Sequence, residues 1–416
     1  MRPTSRGLKA LAALALTCAL LSLAWDAILA MAALSLAAAL SLDALWLLRE
    51  ALRGLEAVVR RGEVRMVAGE VRKLRARLDR EPPRGLERLG GASWADAKLE
   101  GSELVLRLKP KLKGVYELEG LEGDLEGPLG LWRGRLGVKV RLKVKAYPRV
   151  LPFVVEALRL LGAGGYGPGT VPLGRKGLSP EYAGTREYQP GDPLKFIDWK
   201  ATARLSRLMV KEFHEEAYGP PCVIYDADPL GPITADELAA LFLSSVVGLA
   251  TIGSGLTLMI RSRGELVFSS GGLRPREAVA AALTYVLRDY EEVEGDIYEV
   301  VEPWEARRLV AVLKMARAER LAKLVGLASG ARGRLPSGVR DWGELLLIRL
   351  PIVDARGLIE LAAEARREGR AVRLLTPPKP WVDCRDLEEA YQVYLSFRRV
   401  LASLRRLNVE VTLSVG

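Results

Sequence analysis

The stretch AILAMAALSLAAALSLDALWLL, at residues 27–48, is long and apolar enough to cross a lipid bilayer. A second apolar stretch, LKALAALALTCALLSLAW at residues 8–25, comes directly before it, and only Asp26 separates the two. A spanning helix needs roughly 17–25 residues, so each stretch matches one crossing, the first only just. Together they predict a transmembrane helical hairpin over residues 1–50, with its turn at Trp25 and Asp26.

Positive charge flanks both outer ends of this hairpin, at Arg2, Arg6, Lys9, Arg49, Arg53, Arg60 and Arg61. Because cytoplasmic segments beside membrane spans are rich in Lys and Arg, we expect a multi-pass cell-membrane protein whose termini and soluble domains are cytoplasmic. A cleaved signal peptide is the alternative for the first stretch, but a second span follows it at once. Asp43, inside the second span, is expected to reach the interface or to pair with Arg49.

Composition narrows the possible functions. The formal net charge of +11 invites a nucleic-acid function, but Lys and Arg are interleaved with Glu and no known binding motif accompanies them, so no nucleic-acid partner is expected. The three cysteines, Cys18, Cys222 and Cys384, are too far apart in sequence for a CxxC metal site or a disulfide framework. With His214 as the only histidine, His-rich zinc sites are excluded, so any metal would need oxygen ligands.

Two regions with different patterns follow the hairpin. Residues 51–92 are basic with mixed apolar spacing, and we interpret them as a connector. Over residues 93–148, apolar and charged residues alternate between Gly-rich turns, which predicts a small antiparallel β-sandwich. Residues 149–178 then predict a short helix and a Gly-rich linker, where a formal G-x-G-x-x-G match follows a helix rather than a strand and so does not indicate a nucleotide site.

The region 220–416 alternates apolar strand patterns with amphipathic helix patterns. PCVIYDA, LTLMIRS, LLLIRL, AVRLL and VEVTLSV read as strands, and the segments between them read mainly as helices. Such alternation is typical of a mainly parallel sheet covered by helices on both faces. The whole chain is therefore expected to be multidomain, with an α/β domain at its C-terminal end.

Between these regions, at residues 181–213, lies EYAGTREYQPGDPLKFIDWKATARLSRLMVKEF, the densest cluster of polar, aromatic and turn residues. One interpretation makes it an exposed surface for a partner, formed by Arg186, Asp192, Asp198, Lys200 and Arg204. The other, which we favour, is that these charges pair around Tyr188 and Trp199 and fix the segment onto the α/β domain, since buried charges persist only when paired.

This central segment, within residues 179–219, closely resembles the domain of unknown function 58 (DUF58) family, whose hallmark is R-E-Y-x-P-G-D followed by I-D-W-K, A-R and a strand ending in E-F. The matching positions are Arg186, Glu187, Tyr188, Pro190, Gly191, Asp192, Asp198, Trp199, Lys200, Arg204, Glu212 and Phe213. Family members carry an N-terminal hydrophobic hairpin and a β-rich domain with a turn similar to GPLGLW at residues 127–132. The resemblance also implies that residues 220–416 form a von Willebrand factor A-like (Rossmann-like) domain.

A von Willebrand factor A domain binds a divalent ion through D-x-S-x-S at the end of its first strand, where a hard cation finds a carboxylate and neutral oxygens. Here Asp226 fills the first position, Asp228 replaces the first serine, and Leu230 replaces the second and cannot coordinate an ion. The metal site, if one exists, is degenerate, and Mg²⁺ is the ion it would take.

The leading hypothesis is a membrane-anchored scaffold or adaptor rather than an enzyme, with no catalytic residues. The resemblance implies a protein partner, a MoxR-type AAA ATPase, because such ATPases often accompany this family. One alternative is a metal-dependent hydrolase using Asp226 and Asp228, although its further candidates, Asp289, Asp296 and Asp354, have no motif spacing. A nucleic-acid-binding protein is the less favoured alternative and would bind with a steep salt dependence.

Overall fold

The computed structural model describes residues 1–23, 26–59, 62–162, 182–187, 201–202, 204, 207, 209–213, 220–253, 255–327 and 343–413. The chain forms two compact units, Met1–Arg149 and Val150–Gly416.

The first unit opens with the predicted hairpin, α1 at Ser5–Leu23 and α2 at Ala27–Arg53, and the two helices contact each other. The helix α2 begins where the Asp26 carboxylate accepts a hydrogen bond from Ile28 N at 2.9 Å, and it ends at Gly54, which has a φ of 59°. Both helices are long and apolar enough to cross a membrane. Apolar N-terminal helices suited to membrane anchoring are thus confirmed, and α2 is five residues longer at its end than the sequence indicated.

The rest of the first unit is one hydrogen-bonded sheet of nine strands, in the order β5-β8-β9-β2-β4-β7-β6, with β1 and β3 also paired to β9. The strands are β1 Arg2–Pro3, β2 Leu55–Val59, β3 Glu63–Val67, β4 Arg72–Leu78, β5 Leu86–Gly90, β6 Ala95–Glu100, β7 Glu103–Leu108, β8 Gly114–Glu126 and β9 Trp132–Tyr147. Most pairings are antiparallel, but β2 and β3 run parallel to β9.

This sheet differs from the expectation in its extent. The residues interpreted as a connector, 51–92, contain β2 to β5, and alternate side chains of these strands, such as Val64, Met66 and Ala76, lie in the same apolar core as Leu104 and Val140. In β4, RKLRARL, only Ala76 and Leu78 are buried, and the four basic residues are exposed, three of them on the face opposite these apolar side chains. Lys73, Arg75 and Arg77 therefore occupy the outer face of the strand, which is why the segment looked like a polar connector.

The second unit contains a six-stranded sheet in the order β14-β13-β12-β15-β16-β17, with β14 antiparallel at one edge and the other five strands parallel. Its strands are β12 Cys222–Asp226, β13 Leu256–Ser262, β14 Glu265–Leu273, β15 Glu344–Ile348, β16 Ala371–Thr376 and β17 Glu410–Leu413, and a separate pair is formed by β10 Tyr182–Glu187 and β11 Met209–Phe213. Its helices are α3 Leu151–Gly162, α4 Pro232–Ile252, α5 Pro275–Val286, α6 Val293–Val300, α7 Pro303–Leu327, α8 Ala355–Arg367 and α9 Leu387–Arg406, with 3₁₀ turns at Leu287–Asp289 and Pro380–Asp383.

Helices cover both faces of this sheet, as the alternating pattern predicted. On one face, α8 and α9 bury Leu358 and Leu401 against the strands. On the other face, Phe242 of α4 stacks on Tyr225 of β12, with ring centroids 4.2 Å apart. The region is therefore a mixed α/β unit. The antiparallel edge strand β14 was not anticipated.

The helix α4 is the third described helix that is long and apolar enough to cross a membrane. Of the apolar 18-residue stretch of α4 that could span a membrane, 56% is buried within the unit. For the corresponding stretches of α1 and α2, the buried shares are 6% and 11%. A helix that is apolar all round belongs either in a membrane or in a protein core. The burial of α4 against the sheet accounts for its composition, while α1 and α2 leave their apolar surfaces exposed.

Candidate functional site

The candidate site lies at the carboxyl edge of the six-stranded sheet. From β12 the chain proceeds through β13 and β14 on one side, and later through β15, β16 and β17 on the other. In open α/β sheets, ligands bind outside the carboxyl ends of the strands at such a reversal of strand order. Asp226 is the last residue of β12, and Arg349 directly follows β15, the neighbouring parallel strand.

Asp226 and Arg349 form a buried ion pair at this reversal point. Arg349 Nη1 lies 2.7 Å from Asp226 Oδ2, and each side chain is only 5% exposed. Arg261, on the strand β13, places its Nε 3.7 Å from Asp226 Oδ1. Burial raises the pKa of Asp226 above its ordinary value, although both arginines oppose the shift. Burial likewise lowers the pKa of Arg349, because a low dielectric disfavours every charged form.

The second proposed ligand, Asp228, is used differently. Its Oδ1 accepts a hydrogen bond at 2.5 Å from the backbone N–H of Arg263, which lies in the turn between β13 and β14 with a φ of 53°. The carboxylate therefore holds a turn in the left-handed region that non-glycine residues seldom adopt. Leu230, at the third position of the motif, is exposed and offers no oxygen from its side chain.

These residues fit a resident divalent cation poorly. Asp226 Oδ1 has no hydrogen-bond partner, as a ligand atom would not, but two guanidinium groups lie within 3.7 Å of the same carboxylate and would repel a dication. Across the described residues, no group of three or more His, Cys, Asp or Glu side chains is placed to bind a metal. The guanidinium of Arg349 instead neutralises the carboxylate at the place where the motif would hold Mg²⁺.

The other acidic candidates do not gather around Asp226. Asp296 accepts a hydrogen bond from the Tyr290 hydroxyl at 2.5 Å. Asp354 caps α8, since its Oδ1 accepts from Gly357 N at 3.1 Å. The side chain of Asp289 lies outside the described part of the structure. Within the described residues, these aspartates therefore do not form the second carboxylate cluster that a metal-dependent hydrolase would need.

Asp383, which was not predicted as a site residue, caps the N-terminus of α4 at the carboxyl edge of the sheet. Its Oδ2 accepts from Thr234 N and Thr234 Oγ1, each at 2.8 Å, and its Oδ1 accepts from Ile233 N at 3.1 Å. The helix α9 is capped in the same manner by Asp386, which accepts from Glu389 N at 2.7 Å. The Ile233 and Thr234 N–H groups at the start of α4, and the Glu389 N–H group at the start of α9, are thus already paired within the chain.

The structure describes only part of the central segment. Its two ends pair with each other: β10, which carries Arg186 and Glu187, runs antiparallel to β11, which carries Glu212 and Phe213. The strand at 209–213 was predicted, and its partner at 182–187 was not. Arg204 is exposed. The remaining motif positions, Tyr188, Pro190, Gly191, Asp192, Asp198, Trp199 and Lys200, lie outside the described residues, as do Gly164 and Gly167 of the linker.

A second polar cluster lies where the hairpin meets the β8–β9 turn at residues 127–132, which we call the GPLGLW turn. Asp43 of α2 is 1% exposed and accepts hydrogen bonds from three backbone N–H groups, those of Leu129 at 2.8 Å and of Leu131 and Trp132 at 3.0 Å each. The Trp132 indole donates to Leu40 O at 3.1 Å. Asp43 therefore binds this turn, whereas it was expected to reach the interface or to pair with Arg49.

The start of the chain is fastened to the same turn. Thr4 Oγ1 donates to Gly130 O at 2.6 Å and accepts from Gly7 N at 3.0 Å, while Thr4 N donates to Leu131 O at 3.0 Å. A Cβ atom on Gly7 would lie 2.0 Å from Leu131 O, so only glycine permits this approach. The signal in the sequence was the lone carboxylate in an apolar helix, which requires a partner.

Comparison with known proteins bears on the central segment. Residues 184–229 match the model of a family described as protein of unknown function DUF58. No curated protein matches the chain. The matched range runs from the strand β10 through β11 and β12 to the residue after Asp228. Over this segment the chain is similar to the DUF58 family, which supports the resemblance that its R-E-Y-x-P-G-D and I-D-W-K motifs carry.

Proposed function

We propose that this protein is a membrane-anchored scaffold or adaptor that binds a protein partner through the carboxyl edge of its C-terminal α/β unit. It performs no catalysis of its own in this proposal. The partner class is a MoxR-type AAA ATPase, which the family resemblance implies.

The strand order of the second unit supports a von Willebrand factor A-like (Rossmann-like) assignment. Five parallel strands with one antiparallel edge strand, and an aspartate at the end of the first strand, match the arrangement that such a domain requires. The departures at Asp228 and Leu230 concern the metal motif and leave the sheet intact.

The observation that carries the proposal is the ion pair between Asp226 and Arg349, because it neutralises the carboxylate at the first position of the metal motif. The same edge of the sheet instead carries exposed apolar side chains. Leu387, the first residue of α9, is 90% exposed, Tyr391 one turn later is 58% exposed, and Leu230 is also exposed. Exposed aromatic and aliphatic side chains beside capped helix starts favour contact with another protein over an ion or a phosphate.

The attachment of the hairpin supports the proposed orientation. Thr4, before α1, and Asp43, in the second half of α2, both bind the GPLGLW turn, so the two outer parts of the hairpin lie on one side. Arg2, Arg6, Arg49 and Arg53 are at these ends, and positive charge at both favours a cytoplasmic location for them.

Affinity capture of the full-length protein from native membranes, with nucleotide hydrolysis blocked, tests the proposal. We expect an AAA ATPase to be recovered with the parent protein and to be lost with Leu387→Glu. The matched control is Ile252→Glu, an exposed residue at the far end of α4, close to the amino edge of the sheet, which should leave recovery unchanged. Consistent absence of an ATPase with the parent protein, or equal loss with both variants, would contradict it.

A further inference from the structure

An open cleft of about 380 Å³ lies between α2 and the GPLGLW turn. We call it the α2 cleft. The residues that line it are Leu42, Asp43, Leu45, Trp46, Arg49, Pro128 and Leu129. Leu42, Leu45 and Leu129 are exposed. The cleft thus combines an apolar wall with one cationic side chain.

The position of the cleft along α2 places it at the surface of a bilayer. Counting about 20 residues from Ala27, the length that crosses a hydrocarbon core, reaches Trp46. The same count back from Leu23, the end of α1, reaches Thr4, which is bound to the same turn. Both helices therefore place the GPLGLW turn at the headgroup level, where Trp is enriched.

The charges in the cleft favour an anionic occupant. Arg49 is exposed, and within the described residues no carboxylate forms an ion pair with it, unlike Arg53, which lies 3.7 Å from Glu50. The Asp43 carboxylate accepts three backbone hydrogen bonds from the turn, so the Arg49 guanidinium is left for another anion. Arg6, near Gly130 on the other side of the turn, adds positive charge.

We propose that the α2 cleft is a binding site for one anionic phospholipid molecule. The lipid phosphate is held by the guanidinium of Arg49, which can donate two parallel hydrogen bonds to it. The acyl chains lie along Leu42, Leu45 and Leu129, which continue the apolar surface of α2 into the cleft. Binding would seat the turn against the membrane surface, independently of any protein partner.

The test uses the purified full-length protein in bilayer discs that contain equal amounts of phosphatidylglycerol and phosphatidylcholine. Native mass spectrometry then counts the lipids retained on the protein. We expect phosphatidylglycerol to be retained preferentially and Arg49→Gln to reduce its retention by about tenfold, because the neutral amide loses the charge-assisted hydrogen bonds to the phosphate. Arg53→Gln, one turn further along α2, is the matched control and should retain the lipid.

A second variant and a competitor separate this site from general attraction to the membrane. Leu129→Trp fills the cleft without changing its charge, and it should also reduce retention of phosphatidylglycerol. Glycerol phosphate, which has the headgroup chemistry without acyl chains, should not displace the lipid. Equal retention of the two lipids, equal losses with Arg49→Gln and Arg53→Gln, normal retention with Leu129→Trp, or displacement by glycerol phosphate would each overturn the proposal.

Discussion

Asp43 and Asp226 are buried carboxylates in different units, and each is paired with a different kind of donor. Asp43 accepts from three backbone N–H groups of one turn, whereas Asp226 is neutralised by the guanidinium of Arg349. A buried charge persists only when such partners offset its desolvation. Asp43 therefore fixes the anchor to its sheet, and Asp226 is paired with arginine at the candidate metal position.

Replacing Asp43 should destabilise the first unit. Asp43→Ala leaves three N–H groups of the GPLGLW turn without their acceptor, and we expect the free energy of unfolding to fall by about 3 kcal/mol. The measurement is denaturant unfolding of the full-length protein in detergent. Asp26→Ala, which removes only the exposed cap of α2, should cost about 1 kcal/mol. Equal effects of the two substitutions would show that Asp43 is not bound as described.

The raised pKa of Asp226 predicts a pH dependence of stability. A carboxyl that binds its proton more tightly in the folded chain contributes most below about pH 3.9, the ordinary value, and this contribution is lost as pH rises through the raised pKa. The unfolding free energy of the parent minus that of Asp226→Asn should therefore fall with rising pH across this window and then level off. Unfolding curves measured at a series of pH values would check this.

Glu305 provides a control of opposite sign for that experiment. Its pKa is lowered, chiefly by a hydrogen bond from Arg159 Nε at 2.6 Å. The stability that Glu305 contributes is therefore present above the ordinary glutamate pKa and lost as pH falls through the lowered value. The unfolding free energy of the parent minus that of Glu305→Gln should therefore rise with pH. A difference that moved in the same direction for both variants would contradict the assigned environments.

At the scale of elements, the three described helices that are long and apolar enough to cross a membrane serve two purposes. The helices α1 and α2 expose their apolar faces, while α4 buries its own between the sheet and neighbouring helices. The helix α2 is itself divided: its first part suits a bilayer, and Leu47 near its end belongs to the core of the nine-stranded sheet. The anchor and the sheet are therefore one folded unit rather than a domain on a tether.

The assignment of α4 to a protein core can be checked with one pair of substitutions. Leu243→Ala removes a fully buried side chain and should lower the free energy of unfolding of the second unit by about 2–5 kcal/mol. Ile252→Ala, at an exposed position on the same helix, should change it by less than about 0.5 kcal/mol. Denaturant unfolding provides both values. If Ile252→Ala lowered the free energy of unfolding more than Leu243→Ala, the assignment of α4 to a protein core would be wrong.

At the scale of the whole molecule, the anchor matters to folding as well as to location. A chain that begins at residue 54 lacks Asp43 and Leu47, whereas a chain that begins at residue 43 keeps both but has no complete span. We expect both truncated chains to be absent from the membrane fraction. The chain that begins at residue 54 should be less soluble than the chain that begins at residue 43, and it should unfold at a lower temperature. Fractionation followed by thermal unfolding tests this. Equal melting temperatures would mean that the end of α2 contributes nothing to the sheet.

Local patterns in the sequence were enough for several features. Two apolar runs predicted the hairpin, alternation of strand and helix patterns predicted the α/β unit, and the central motif indicated the DUF58 family. These features follow from hydrophobic periodicity and from residues close together in the chain. The strands in residues 51–92 were missed because their outer faces are so basic that the alternating apolar positions, several of them alanine or valine, looked irregular.

Only the tertiary structure decided which partners the key carboxylates have. Asp43 contacts Leu129, which lies 86 positions later in the sequence. Asp226, at the end of β12, contacts Arg349, which follows β15, and the strands β13 and β14 lie between them in the chain. Such contacts depend on sheet order and on how helices pack, and no local pattern encodes them. The sequence alone thus determined that the chain has an anchor and an aspartate at the end of a first α/β strand. The folded chain decided that one aspartate fixes the anchor to its sheet and that the other is paired with arginine.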